Sequence, residues 1–125
     1  MKLLIITKEL NIKTKYEIEI TTTYEDSLYK INNNNYIAII IDSLININIR
    51  KLLNSYINKN MIKHTIIIDD IKLSSYELLD RNYQVFAIIS QNNIQDLSYY
   101  IEELIKKINY IMNKKPIFIK IYLVY

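Results

Sequence analysis

The stretch Tyr36-Ile37-Ala38-Ile39-Ile40-Ile41-Asp42-Ser43 constrains the fold more than any other part of the chain. It is an unbroken apolar run that ends in a carboxylate. Such a run, bounded by polar turns, suits a strand buried on both faces, the central strand of a parallel sheet with helices above and below. A second run, Ile66-Ile67-Ile68, ends in Asp69 and Asp70 in the same way. In open α/β sheets ligands bind outside the carboxyl ends of the strands. Asp42 and Asp69 are therefore expected at the rim where chemistry usually sits.

With 125 residues the chain is long enough for one domain with a real core and too short for two. No apolar run approaches the roughly 20 residues a membrane-spanning helix needs. The opening Met1-Lys2-Leu3-Leu4-Ile5-Ile6 is followed by Lys8 and Glu9 and lacks the pattern of a signal peptide. The absence of Cys removes disulfides, thiol nucleophiles and thiolate metal ligands. These features together lead to the expectation of a cytoplasmic protein.

Gly is absent as well, which excludes a P-loop and a dinucleotide-binding fingerprint, since both need Gly where backbone approaches phosphate. Turns that require positive φ must then use Asn. The clusters at residues 32–35, 58/60, 82 and 92/93 suit that role. The net charge is +3, with basic residues scattered in pairs rather than gathered on one face. That pattern places a protein partner ahead of nucleic acid, which usually meets a concentrated basic patch.

Taken in order, residues 2–7 are strand-like and residues 8–15 are short and polar. Residues 16–22 alternate as a half-exposed edge strand, with Tyr16, Ile18 and Ile20 inward against Glu17, Glu19 and Thr21. Thr22 and Glu25 are spaced as a capping box for a short helix carrying Leu28 and Ile31. After the strand at 36–42, residues 49–57 read as a helix with Leu52, Leu53 and Tyr56 inward. Residues 64–69 form the next strand. Ser74 and Glu77 open a helix to about Arg81, and residues 83–90 form a further strand. Asn93 is expected to cap a long helix with Asp96 in its first turn. Ile94, Leu97, Tyr100, Ile101, Leu104, Ile105, Ile108 and Met112 keep helical spacing there, and Pro116 stops it. Residues 117–125 look like one more strand. The division is an α/β domain over 1–115 and a C-terminal strand or tail over 116–125. The fold class is doubly wound and flavodoxin-like: a mainly parallel five-stranded sheet with helices on both faces and an extra C-terminal strand.

At this level the chain resembles the receiver domain of two-component response regulators over nearly its whole length. In that family a buried strand of the form Tyr-x-x-hydrophobic-x-hydrophobic-Asp ends in the phosphoacceptor, and Tyr36 to Asp42 fits the spacing. The resemblance implies Asp42 as phosphoacceptor candidate. Other family positions differ. The paired acids that hold Mg²⁺ after the first strand fall at about Thr7 and Lys8, with Glu9 the acid nearby. The Thr/Ser ending the fourth strand falls at Asp69, and the Lys-Pro ending the fifth at Ser90-Gln91. Phosphoryl transfer depends on metal and cations to neutralise charge on the equatorial oxygens. A second carboxylate at Asp69 would repel that charge. The implication is a pseudo-receiver that binds protein partners in signalling without ordinary phosphorylation and is not an enzyme.

Residues 8–15 are too few for the usual crossover helix. Either the first helix is shortened or lost to an extended crossover, or the first two strands form an antiparallel hairpin. The hairpin would favour a likeness to STAS domains, the regulators that act as anti-sigma antagonists. A third reading gathers Glu9, Asp42 and Asp69 around Mg²⁺ as a phosphohydrolase, since hard oxygen ligands suit that ion. Against it, Asp commonly ends strands and caps turns. His64, alone of its kind, reads as a boundary residue, and Ser43 and Ser90 as hydroxyl caps. Tyr99, Tyr100, Ile101 and Leu104 on the last helix are the expected interaction face, and with the apolar tail they suggest a homodimer.

Overall fold

Apolar runs dominate the described chain, and a parallel sheet takes them up. The computed structural model describes residues 2–45, 47–57, 64–69, 85–112 and 122–124. The strands are β1 (Lys2–Ile6), β2 (Glu17–Thr21), β3 (Ala38–Asp42), β4 (Thr65–Asp69), β5 (Val85–Ser90) and β6 (Tyr122–Val124). The helices are α1 (Tyr24–Asn33), α2 (Ile49–Ile57) and α3 (Leu97–Met112), the last preceded by a 3-10 segment, Gln91–Asp96. The strands lie in the order β2-β1-β3-β4-β5-β6, and every neighbouring pair is parallel. The first five follow the flavodoxin-like order, in which the direction of winding reverses between β1 and β3. The expected α/β class and the additional C-terminal strand are both present.

Successive strand residues point to opposite faces of a sheet, and here both faces are apolar. Leu3, Ile5, Ala38, Ile40, Ile66, Ile68 and Ile89 share one cluster with Leu97, Ile101, Leu104, Ile105 and Ile108 of α3. Leu4, Ile6, Ile39, Ile41, Ile67 and Ile88 share the other with Ile31 of α1 and Leu52 and Leu53 of α2. Ala38 to Ile41 have no exposed surface. Burying each of the three isoleucines contributes about 1.5–3 kcal/mol relative to leaving it in water. A register shift between Thr65 and Ile66 against β5 places both Phe86 and Ala87 in the α3 cluster.

The first crossover is extended. β1 and β2 pair in parallel, Lys2 with Glu17 through Ile6 with Thr21, which removes the hairpin alternative. Residues 7–16 make the connection without a helix. Ile12 enters the α3 cluster in place of a helix face, with Leu10 and Tyr16 packed beside it. The Lys13 amide donates to Ser98 Oγ at 2.9 Å and the Lys15 amide to Glu102 Oε1 at 3.0 Å. The Thr14 hydroxyl donates to the same carboxylate. The crossover is a strap fastened to α3.

Local readings move in four places. α1 is capped by Thr23, not Thr22: Thr23 Oγ1 accepts from the Asp26 amide at 3.1 Å. Burial of Ser27 and Ile31 sets the helix phase, and only Thr23 then stands at the cap. On β2, Ile20 is 56% exposed and Thr21 is buried, the reverse of the expected alternation at that end. An extended strap covers less of the sheet than a helix would, and Thr21 turns in to share a hydrogen bond with Ser27. The Asn run ends α1 through side chains, Asn33 Nδ2 donating to Tyr29 O and Asn34 Nδ2 to Lys30 O, while Asn34 itself is extended at φ −138°. Finally, Ser90 rather than Asn93 caps the turn after β5, accepting from the Asn92 amide at 3.2 Å. α3 proper begins at Leu97, because Asn93 leaves helical geometry to donate from Nδ2 to Val124 O of β6 at 3.2 Å. The expected helix at 74–81 lies outside the described residues, as do the Asn positions 58, 60 and 82, residues 83–84, Asp70 and all of 113–121. Among the described residues no helix is long and apolar enough to cross a membrane.

Candidate functional site

The switch point between β1 and β3 brings Thr7, the residue following β1, against Asp42, the last residue of β3. Both are buried, 2% and 3% exposed. Thr7 Oγ1 donates to Asp42 Oδ2 at 2.8 Å and accepts the Leu10 amide at 3.1 Å and the Glu9 amide at 3.3 Å. The same hydroxyl therefore turns the chain into the strap and holds the carboxylate. Asp42 Oδ1 accepts the Leu44 amide at 3.0 Å, an Asx-type turn, and the Asp42 carbonyl accepts the Ile45 amide at 3.1 Å. Both carboxylate oxygens are thus engaged. The turn carries Leu44 outward, 65% exposed.

One strand further on, Ser43 Oγ donates to Asp69 Oδ1 at 2.7 Å and the Ser43 amide to Ile68 O at 3.0 Å. Asp69 is in register with Ser90 on β5. The rim from β1 to β5 thus presents two carboxylates and three hydroxyls, Thr7, Ser43 and Ser90. Thr7 and Ser90 accept amides of the turns that follow them, Ser90 in keeping with its expected capping role, whereas Ser43 directs its hydroxyl across strands to Asp69 and caps no turn.

Asp42 and Asp69 stand on adjacent strands, as the sequence suggested. Glu9 is exposed on the strap. Among the described residues no group of three or more His, Cys, Asp or Glu side chains is placed to hold a metal ion. The expected interaction face needs a larger correction. Ile101 is fully buried and Leu104 is 3% exposed, both packed beneath α3. Tyr100 is half-buried against the same core, and Tyr99 alone stands out at 63% exposure, its ring edge-on to Tyr100 at 5.6 Å. The four do not make one exposed surface.

Two further polar clusters lie away from this rim and were not singled out in sequence. Glu19 on β2 accepts Lys2 Nζ at 2.6 Å, Tyr36 OH at 3.1 Å and Lys30 Nζ at 3.4 Å. The hydrogen bond from Lys2 holds the Glu19 carboxyl below the usual range. Burial, helped by Glu19, raises the Tyr36 phenol above its ordinary value. On α3, the hydrogen bond from Thr14 lowers the Glu102 carboxyl. An acid flanked by lysines on β1 and α1 is no motif in one dimension, because Glu19 meets Lys2 across 17 residues. His64 sits half-buried before β4 with its ring edge-on to Phe86 at 6.0 Å, and burial lowers its pKa.

In comparisons with protein-family models, curated proteins and solved structures, nothing matches the chain.

Proposed function

We propose that the chain is a receiver-like regulatory module of the cytoplasm that works by docking protein partners, with Asp42 as a structural latch in place of a conventional phosphoacceptor. The observation that carries this reading is the Thr7–Asp42 pair at the switch point. A flavodoxin-like strand order puts a carboxylate at the end of β3, where the resemblance to receivers expects one. The position after β1, acidic in receivers, holds a hydroxyl that donates to that carboxylate. Asp42 is buried with both oxygens accepting, so its carboxylate is a less accessible and weaker nucleophile than a free one. Asp69 adds a second carboxylate at the rim, which opposes the charge developed in phosphoryl transfer. The scattered basic residues favour protein over nucleic acid as partner.

The test is incubation with acetyl phosphate, and separately beryllofluoride, in the presence of Mg²⁺, read by intact mass and tyrosine fluorescence. Wild type is expected to remain unmodified. A metal-dependent adduct that disappears in Asp42→Asn would overturn the latch reading and restore a working phosphoacceptor. Docking is tested separately, by affinity capture on the folded chain and reconstitution with the purified partner. Failure to retain any protein in stoichiometric amount would count against the interaction role.

A further inference from the structure

The edge of the sheet at β2 has a geometry suited to one particular occupant. Among the described residues β2 pairs with β1 alone. The Thr7 amide donates to Thr21 O, which fixes the phase of the ladder: Glu17, Glu19 and Thr21 direct their backbone groups at β1. In a strand the N–H and C=O of one residue point to the same side, and successive residues alternate. Ile18 and Ile20 therefore direct theirs away from β1, across the free edge. The Ile18 and Ile20 side chains share the face that carries Leu3 and Ile5. Ile18 packs against the α3 cluster there, whereas Ile20 is 56% exposed.

We infer that β2 pairs antiparallel with β2 of a second copy of this chain about a two-fold axis at Glu19, joining two sheets into one. This goes beyond the reading of Asp42 and does not depend on it. The two-fold arrangement sets Ile18 opposite Ile20 of the partner, twice, as pairs that exchange both of their outward backbone hydrogen bonds. Directly opposed residues of an antiparallel pair share a face, so each exposed Ile20 lies against a partly buried Ile18. The axis brings the two Glu19 residues together, where like charges would ordinarily repel. Each carboxylate is already paired with Lys2 and Lys30, so lysines surround the axis and offset that repulsion. Any extended strand presents the same backbone spacing; a second copy adds the match of exposed Ile20 to Ile18 and sets Lys2 and Lys30 of both chains about the axis.

The test is sedimentation equilibrium across a wide range of protein concentration for wild type, Ile20→Lys and Ile20→Pro. The lysine adds a like-charged group beside its copy at an exposed site. The proline removes an N–H that faces solvent in the monomer, which edge strands tolerate. Wild type is expected to approach twice the 15.0 kDa chain mass as concentration rises, and both variants to lose the dimer while keeping the far-UV circular dichroism of wild type. Amide hydrogen exchange gives a second readout that needs no variant. Exchange at Ile18 and Ile20 should slow in step with the dimer fraction, while Glu17, Glu19 and Thr21 stay protected throughout. A monomer mass at every concentration, a dimer that both variants retain, or Ile18 and Ile20 amides indifferent to concentration would each overturn the inference.

Discussion

Thr7 and Asp42, 35 residues apart, meet at the switch point through a buried hydrogen bond of 2.8 Å. Removing the hydroxyl leaves Asp42 Oδ2 without this donor in a place water does not readily reach. Thr7→Val is expected to lower stability by about 1–3 kcal/mol, the cost of a buried polar group stripped of its partner. Thr7→Ser keeps the donor and loses a methyl group, so its cost should stay near 0.8 kcal/mol, roughly one buried carbon. Urea unfolding of the two variants side by side measures the difference; equal costs would show that the methyl and not the hydrogen bond matters.

Ile12 is the strap's apolar anchor, 6% exposed within the α3 cluster. Ile12→Ala is expected to cost about 2–4 kcal/mol, as for a core aliphatic truncation. An effect below about 0.5 kcal/mol, the range of ordinary surface changes, would mean that the crossover is not packed as described.

The pH dependence of stability contains a contribution from His64. Burial lowers its pKa in the folded chain below its ordinary value of 6.5. As pH falls through 6.5 the unfolded chain takes up a proton before the folded one does, so stability declines as pH falls and levels off below the folded-state pKa. His64→Gln should flatten the slope of unfolding free energy between about pH 7 and pH 5. Glu19 and Glu102 act lower. Their carboxyls are held below 4.5, so the stability they contribute is present above that pH and is lost on further acidification. A slope near neutrality that is the same in wild type and variant would remove His64 from this account.

Three consecutive threonines precede α1, and only one of them caps it. Thr23→Ala is expected to cost about 1 kcal/mol, the usual weight of an N-cap hydroxyl. Thr22→Ala should fall within about 0.5 kcal/mol of wild type. Thermal or urea unfolding of both variants checks the assignment, and the reverse order would restore the capping box one residue earlier.

The central strands were legible because their residues meet no solvent on either face. Ala38 to Ile41 and Ile66 to Ile68 leave no polar alternation to misread, and the carboxylates that end them stop where the sheet stops. The edge was harder to read. Ile20 and Thr21 exchange the environments their polarity suggests, since exposure there depends on whether a helix or a strap crosses over β2. The α3 face failed for a related reason. Ile101 and Leu104 belong to the same helical stripe as Leu97, Ile105 and Ile108, and that stripe meets the sheet, so exposed Tyr99 could not recruit them to a surface. Asp42 was placed correctly at the rim. Its partner Thr7 was visible only as a missing acid, because a hydrogen bond across two strands has no spacing rule in the chain.

The strap also ties the order of assembly to the order of the chain. Its fastenings to Ser98 and Glu102 span 85 and 87 residues, while a helical crossover would have closed β1 onto β2 with contacts near at hand. Closing so long a loop carries its entropy cost before any contact rewards it. During synthesis β1 and β2 emerge first, yet Ile12 has no covering until α3 has left the ribosome. The N-terminal edge of the sheet is thus completed by α3, and a chain cut before Leu97 would keep the turn at Thr7 but lose the fastenings of its first crossover at Ser98 and Glu102.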